Sequence, residues 1–289
     1  MVLLFILSLL VTNVSASEPY TITEDTSVIG IVQTYPIKGK ESLIEVARSF
    51  NLGYNEIIAA NPDLDPFIPG DGTEVIIPSS WVLPDRDSYK GIVVNISEMR
   101  LYYFMREKGS LVVRTYPIGI GDEGNDTPVG SFRIIEKIAN PAWHVPKSIK
   151  AERPFEPDVV PPGPNNPLGT HALRLSLGSY LIHGTNRPWA VGRRVTHGCI
   201  RLYPEDIPRV FDIVPNGTAV DIVRQPVKAG LRDGKVYLEV HRDDQEDFNY
   251  LNEAVSLLRK RNLMDRVIPE KLYRAVMRKS GIPVVISGQ

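Results

Sequence analysis

A single cysteine among 289 residues means that no internal disulfide can brace this chain. Neither charge is in excess: 33 basic and 34 acidic residues leave a net charge of −1. No basic surplus draws the chain to nucleic acid or to an anionic lipid surface. Long apolar runs are missing too, since a membrane-spanning helix takes about 20 residues and no stretch of that length occurs. The one shorter run, Val2–Val11, precedes Val14-Ser15-Ala16, a small-residue ending that fits a cleavable export signal. Residues 1–16 are therefore expected to be a signal peptide. No cysteine follows this run, so a lipid anchor on an N-terminal cysteine is not expected either.

What is present begins with that cysteine. Cys199 sits in THGCIRL, two residues after His197, and a second His-Gly pair, His183-Gly184, lies upstream. A thiol attacks as the thiolate, and an imidazole nearby can take its proton. Gly198 offers an uncrowded main-chain N–H beside the sulfur. The composition is that of an ordinary globular protein, with 43% hydrophobic residues, and 24 prolines with 22 glycines favour a strand-rich, loop-rich body.

Between residues 33 and 79 a compact unit is legible. Ser42 and Glu45 have capping-box spacing ahead of the helix ESLIEVARSF, and YNEIIAAN fits a second helix ended by Asn61-Pro62. A turn at PGDGT and the strand EVIIP close the unit. This βααβ order resembles the LysM module, which implies binding to N-acetylglucosamine-containing wall glycan. The first turn carries Gly39-Lys40-Glu41 where the module usually has Gly-Asp-Thr. Pro84-Asp85-Arg86-Asp87 reads as a linker.

From residue 89 to 225 the chain is mostly β. GIVVNI, RLYYFM, LVVRTYPIGI, SFRIIEKI, YLIHG and AVDIVRQ have strand length and composition, and PEDIPRVFDIV alone reads as a helix. A sheet sandwich or barrel is expected. A proline-rich loop from Asn140 to Gly169 interrupts the strands, and loops of this length in compact domains usually form lids or binding walls. Residues 226–289 form an extension in which GKVYLEVH fits a strand, and DDQEDFNYLNEAVSLLRKRNL and PEKLYRAVMRKSG fit two helices.

The strings TPVGSF at Thr127, NPAWHVP at Asn140, GPNNPLG at Gly163, HGTN at His183 and THGCIRL at Thr196 resemble, in order, the catalytic domain of the bacterial L,D-transpeptidases. The likeness covers about 130 residues, and with a signal peptide and LysM-like module it implies a periplasmic member. It implies a peptidoglycan enzyme in which Cys199 attacks the diaminopimelate-D-alanine bond of a tetrapeptide stem, releases D-alanine and holds the acyl group as a thioester. His183 then matches the base, oriented by the Gly184 carbonyl. The amides of His197, Gly198 and Cys199 would make the oxyanion hole. No cofactor is implied. The acceptor is open between another stem's amine, the lysine of an outer-membrane lipoprotein, water and a free D-amino acid.

Other assignments are weighed from the residues. His197 competes with His183 as base. Arg201 could bind a substrate carboxylate or pair with Glu205, and Thr196 could support the loop through its hydroxyl. Trp143, Tyr180 and Trp189 could line the cleft or fill the core, while His144 and His171 are taken as structural. A zinc peptidase using His183, His197 and Cys199 is an alternative, although the spacing lacks a helical H-x-x-x-H or a C-x-x-C. A non-catalytic wall-binding protein is another, and it leaves the Cys199 cluster unexplained.

Overall fold

The computed structural model describes residues 18–23, 25–86, 88–244 and 247–288, and the expected signal peptide lies outside them. Its centre is a nine-stranded sheet. Across it run Tyr20–Thr21, Ser110–Pro117, Arg100–Glu107, Gly91–Asn95, Ala219–Val223, Gly130–Ala139, His171–Leu175, Leu181–His183 and Ile200–Arg201. Neighbours are antiparallel except for two parallel pairs: Gly91–Asn95 with Ala219–Val223, and Leu181–His183 with Ile200–Arg201.

The Gly91–Asn95 strand is buried at every residue, which explains its unbroken apolar sequence. Alternate side chains of this region enter two different cores. Ile92, Val94, Leu101 and Tyr103 join Leu173, Ile182 and Ile200 from the far strands, so the sheet curls around them. Ile207 and Val210 of the helix Ile207–Ile213 cap this core. Val93, Tyr102 and Phe104 face the other way and pack on Leu43, Val46 and Ile57. The expected sandwich or barrel is thus realised as one curled, mostly-β sheet.

The partner on that second face is the unit read as two helices and a hairpin. Strands Gln33–Pro36 and Glu74–Ile77 pair antiparallel, and helices Leu43–Ser49 and Tyr54–Ala60 lie between them in sequence. The capping box forms as the spacing predicts: the Glu45 amide donates to Ser42 Oγ, and Ser42 N–H donates to the Glu45 carboxylate. This unit is bound firmly to the sheet. Fully buried Arg100 donates from Nε and Nη2 to the Glu56 carboxylate at 2.9 and 2.8 Å, and from Nη2 to Asn51 O.

The extension folds around its own core. Strands Val227–Arg232, Lys235–Val240 and Val284–Val285 form a small sheet covered by helices Tyr250–Lys260 and Pro269–Arg278. The second helix stops earlier than Gly281 suggests, because Lys279 takes the left-handed conformation at φ 46°. The segment read as a linker is pinned: Asp85 pairs with Lys260 and Arg261, and Arg86 with Asp221. Within Asn140–Gly169 the structure adds a helix, Lys147–Glu152, and a two-strand ladder of Trp143–His144 with Val159–Val160.

Candidate active site

The parallel pair Leu181–His183 and Ile200–Arg201 brings the two sequence motifs together. Ile182 stands opposite Ile200, and His183 opposite Arg201. Residues two apart on a strand share a face, so Ile182 and Ile200 enter the core while Leu181, His183, Cys199 and Arg201 share the other side. Cys199, one residue ahead of its strand, becomes a diagonal neighbour of His183. Such neighbours are about 7 Å apart along the backbone, within reach of an imidazole. Cys199 is half-buried and packs against Leu168, Ala172, Leu181 and Trp143.

Burial pushes the Cys199 thiol above its ordinary value, against a weaker pull from the Leu181 main chain and the Arg201 charge. Its hydrogen-bond partner is the Ser179 carbonyl, 4.0 Å from Sγ. His183 is buried, and its Nδ1 lies 2.6 Å from the Gly184 carbonyl. A carbonyl only accepts, so Nδ1 carries the proton and Nε2 keeps its lone pair. Burial, and then the Arg201 charge, push His183 down to about 3, although the Gly184 and Leu168 carbonyls pull the other way. Thiol and imidazole therefore both rest neutral.

Two hydroxyls fix the Cys199 loop. Thr196 Oγ1 donates to the Cys199 carbonyl at 2.6 Å, the supporting role its position suggests. Thr127 Oγ1 donates to the Gly198 carbonyl at 3.0 Å and accepts from the Gly121 amide. In a trans peptide the N–H opposes the C=O, so the Cys199 amide points away from Thr127. Gly198 has φ 92°, and a Cβ there would meet the Tyr180 ring at 2.6 Å, so only glycine fits. Thr127 escaped the sequence reading as a site residue even though TPVGSF had been singled out, because a lone hydroxyl there gives no sign of its partner.

The remaining candidates separate. His197 is drawn to the long loop, its Nε2 3.1 Å from the Glu152 carboxylate. Trp143 packs in the cluster that holds Cys199, whereas Trp189 is 56% exposed on the turn Pro188–Ala190. Tyr180 covers Gly198, His171 packs at a tilt on Phe211, and His144 is exposed. The expected Arg201–Glu205 pair does not form: Arg48, from the N-terminal unit, holds both Glu205 oxygens at 2.8 and 2.9 Å. Among the described residues, the cluster with metal-ligand character is Glu98, Glu239 and His241, and not His183, His197 and Cys199.

A thiol, a neutral imidazole oriented by a carbonyl and a glycine-hinged amide loop on a curled sheet are the groups that cysteine acyl transfer requires. The model of the L,D-transpeptidase catalytic domain matches residues 89–222. The chain is 38% identical over 281 residues to the probable L,D-transpeptidase YbiS of Escherichia coli K12, covering 91% of this chain and 89% of that one. It is 35% identical to the probable L,D-transpeptidase ErfK/SrfK of Salmonella typhimurium LT2, covering 96% and 94%. A solved L,D-transpeptidase from Mycobacterium smegmatis is 21% identical, with a TM-score of 0.35 over 53% of this chain and 63% of its own. The chain belongs to the L,D-transpeptidase family, and it is an L,D-transpeptidase.

Proposed function

We propose that Cys199 is the nucleophile and His183 the general base of transfer from peptidoglycan tetrapeptide stems. The observation that carries this is the ladder pairing His183 with Arg201, because it gives thiol, imidazole and guanidinium one common face. The thiol turns from Ser179 O toward His183 Nε2 and loses its proton as sulfur attacks the carbonyl carbon of the diaminopimelate-D-alanine bond. The amides of His197, Gly198 and Cys199 stabilise the oxyanion, and removing such a donor typically costs about 10²-fold or more. The C–N bond breaks, the proton passes from His183 to the departing nitrogen, and the acyl group stays on sulfur as a thioester. An incoming amine then gives its proton to His183 and takes the acyl group. Arg201 holds a substrate carboxylate, Thr196 supports the loop, and Trp143 and Trp189 contribute to the cleft walls.

The finer reading extends to the rest of the chain. The Val2–Val11 run and the following Ser15-Ala16 support export, and the wall substrate supports a periplasmic location. The βααβ unit is proposed as a LysM-like module that anchors the enzyme on glycan. An outer-membrane lipoprotein lysine is one acceptor this chemistry would serve. Intact-mass analysis after incubation with a tetrapeptide stem tests the core of this reading. Wild type should gain the mass of the tripeptidyl acyl group at Cys199 and release D-alanine. An unmodified enzyme that releases no D-alanine would contradict it.

A further inference from the structure

Arg201 is a half-buried cation of the site with no described acid beside it. Its Nε is buried without a hydrogen-bond partner, and among the described residues no carboxylate pairs with it. Burial, and then the nearby Arg187 charge, lower it to about 10. Arg187 itself is exposed, and no described acid pairs with its guanidinium. A guanidinium whose Nε is buried without an acceptor is costly unless an anion arrives. Elsewhere this chain neutralises its buried cations: Arg100 has Glu56, and Lys228 has Glu98 and Glu239.

The position of this charge identifies the anion. Arg201 stands directly beside His183, the group that hands a proton to the departing nitrogen. In a tetrapeptide stem that nitrogen belongs to a single terminal residue, whose carboxylate carbon is two bonds away. With N–Cα and Cα–C bonds of about 1.5 Å, its oxygens lie only about 3–4 Å from the nitrogen. A carboxylate so close to the nitrogen held by His183 falls at the neighbouring Arg201. We infer that Arg201 holds the free carboxylate of the departing terminal residue, making it a specificity determinant for stems cut one residue from their end, with Arg187 adding positive charge at the exposed side. This rests on the proposed assignment of Cys199 and His183. A stem one residue longer would carry its carboxylate about 3.5 Å farther out and put an uncharged peptide group beside Arg201.

The test compares three stems with the wild-type full chain: the tetrapeptide acid, the same stem as its terminal carboxamide, and the acid with its diaminopimelate side-chain carboxyl amidated. Release of D-alanine or D-alaninamide is followed at several concentrations. The terminal amide should lower kcat/KM by about 10- to 100-fold, and side-chain amidation should lower it no more than about threefold. Arg187→Gln, at an exposed position, should shrink the acid-to-amide ratio several-fold. Arg201→Gln should abolish the ratio where it folds, and the comparison of stems on wild type holds even where it does not. Equal rates on acid and amide overturn the inference while leaving the Cys199 assignment standing. A penalty on side-chain amidation alone overturns it by moving the arginines to the other carboxylate. No release from any stem overturns the site assignment and this inference together.

Discussion

Two buried charged regions of this molecule are built on opposite terms. At the junction of the sheet with its two flanking units, Lys228 Nζ meets Glu98 at 2.7 Å, Glu239 at 3.0 Å and the Val82 carbonyl at 2.7 Å. Tyr102 and Asn95 also donate to Glu98, and His241 reaches Glu239. Every member has partners, and the three segments are locked in one arrangement. Around Cys199 the reverse holds: burial pushes the thiol up and His183 down, and among the described residues no acid pairs with Arg201. Charge that is paired holds the fold together, whereas the charge of Arg201, left unpaired, is free for the substrate carboxylate proposed above.

Mutations on the two sides should therefore separate activity from stability. Cys199→Ala should lower D-alanine release by about 10⁴-fold or more in a steady-state assay, with an unchanged far-ultraviolet spectrum. Lys228→Met leaves Glu98 and Glu239 uncompensated and should cost about 3–5 kcal/mol in denaturant unfolding, without altering the thiol's response to pH. Thr127→Val strands the buried Gly198 carbonyl and Gly121 amide. It should cost about 1–3 kcal/mol and also lower kcat, because the Cys199 amide loses its aim.

Two pH effects sharpen the contrast. His183 falls from 6.5 in the unfolded chain to about 3 in the fold. The unfolded state therefore binds the extra proton, and stability is present above pH 6.5 and lost as pH falls toward 3. The slope is at most about 1.4 kcal/mol per pH unit, and it should be shallower in His183→Gln. Asp206 moves the other way: burial raises it from 3.8 to about 7, with the Glu205 charge as the next cause, and its Oδ2 has no partner. Its contribution is present below pH 3.8 and lost as pH rises through 7. Asp206→Asn should therefore gain stability at pH 8 and little at pH 4, as read from unfolding midpoints at the two values.

The sequence revealed the site better than the joints. Cys199 and His183 could be singled out because each lies in or beside a His-Gly motif, whereas the Gly184 carbonyl was implied by the family resemblance and the strand Ile200–Arg201 is too short to read. The β-rich run at Gly91–Asn95 likewise announced a strand, although not its burial on both faces. Strand Val227–Arg232 escaped notice because Lys228 and Gly230 interrupt its apolar pattern. Lys228 is buried only because Glu98, 130 residues away, meets it. Pro84–Asp87 has the composition of a linker, yet Asp85 and Arg86 are held by charges far along the chain. Arg48 took Glu205 from Arg201 across 157 residues, a pairing that no local spacing encodes.

The central claim, that the face shared by Cys199 and His183 rests uncharged at its thiol and imidazole, is tested most directly by the pH dependence of Cys199 alkylation by iodoacetamide. Only the thiolate reacts, so a thiol raised by burial beside an imidazole near 3 should react ever faster as pH rises from 5 through 9. A rate already full and flat between pH 5 and 8 would reveal a preformed thiolate-imidazolium pair and contradict the account.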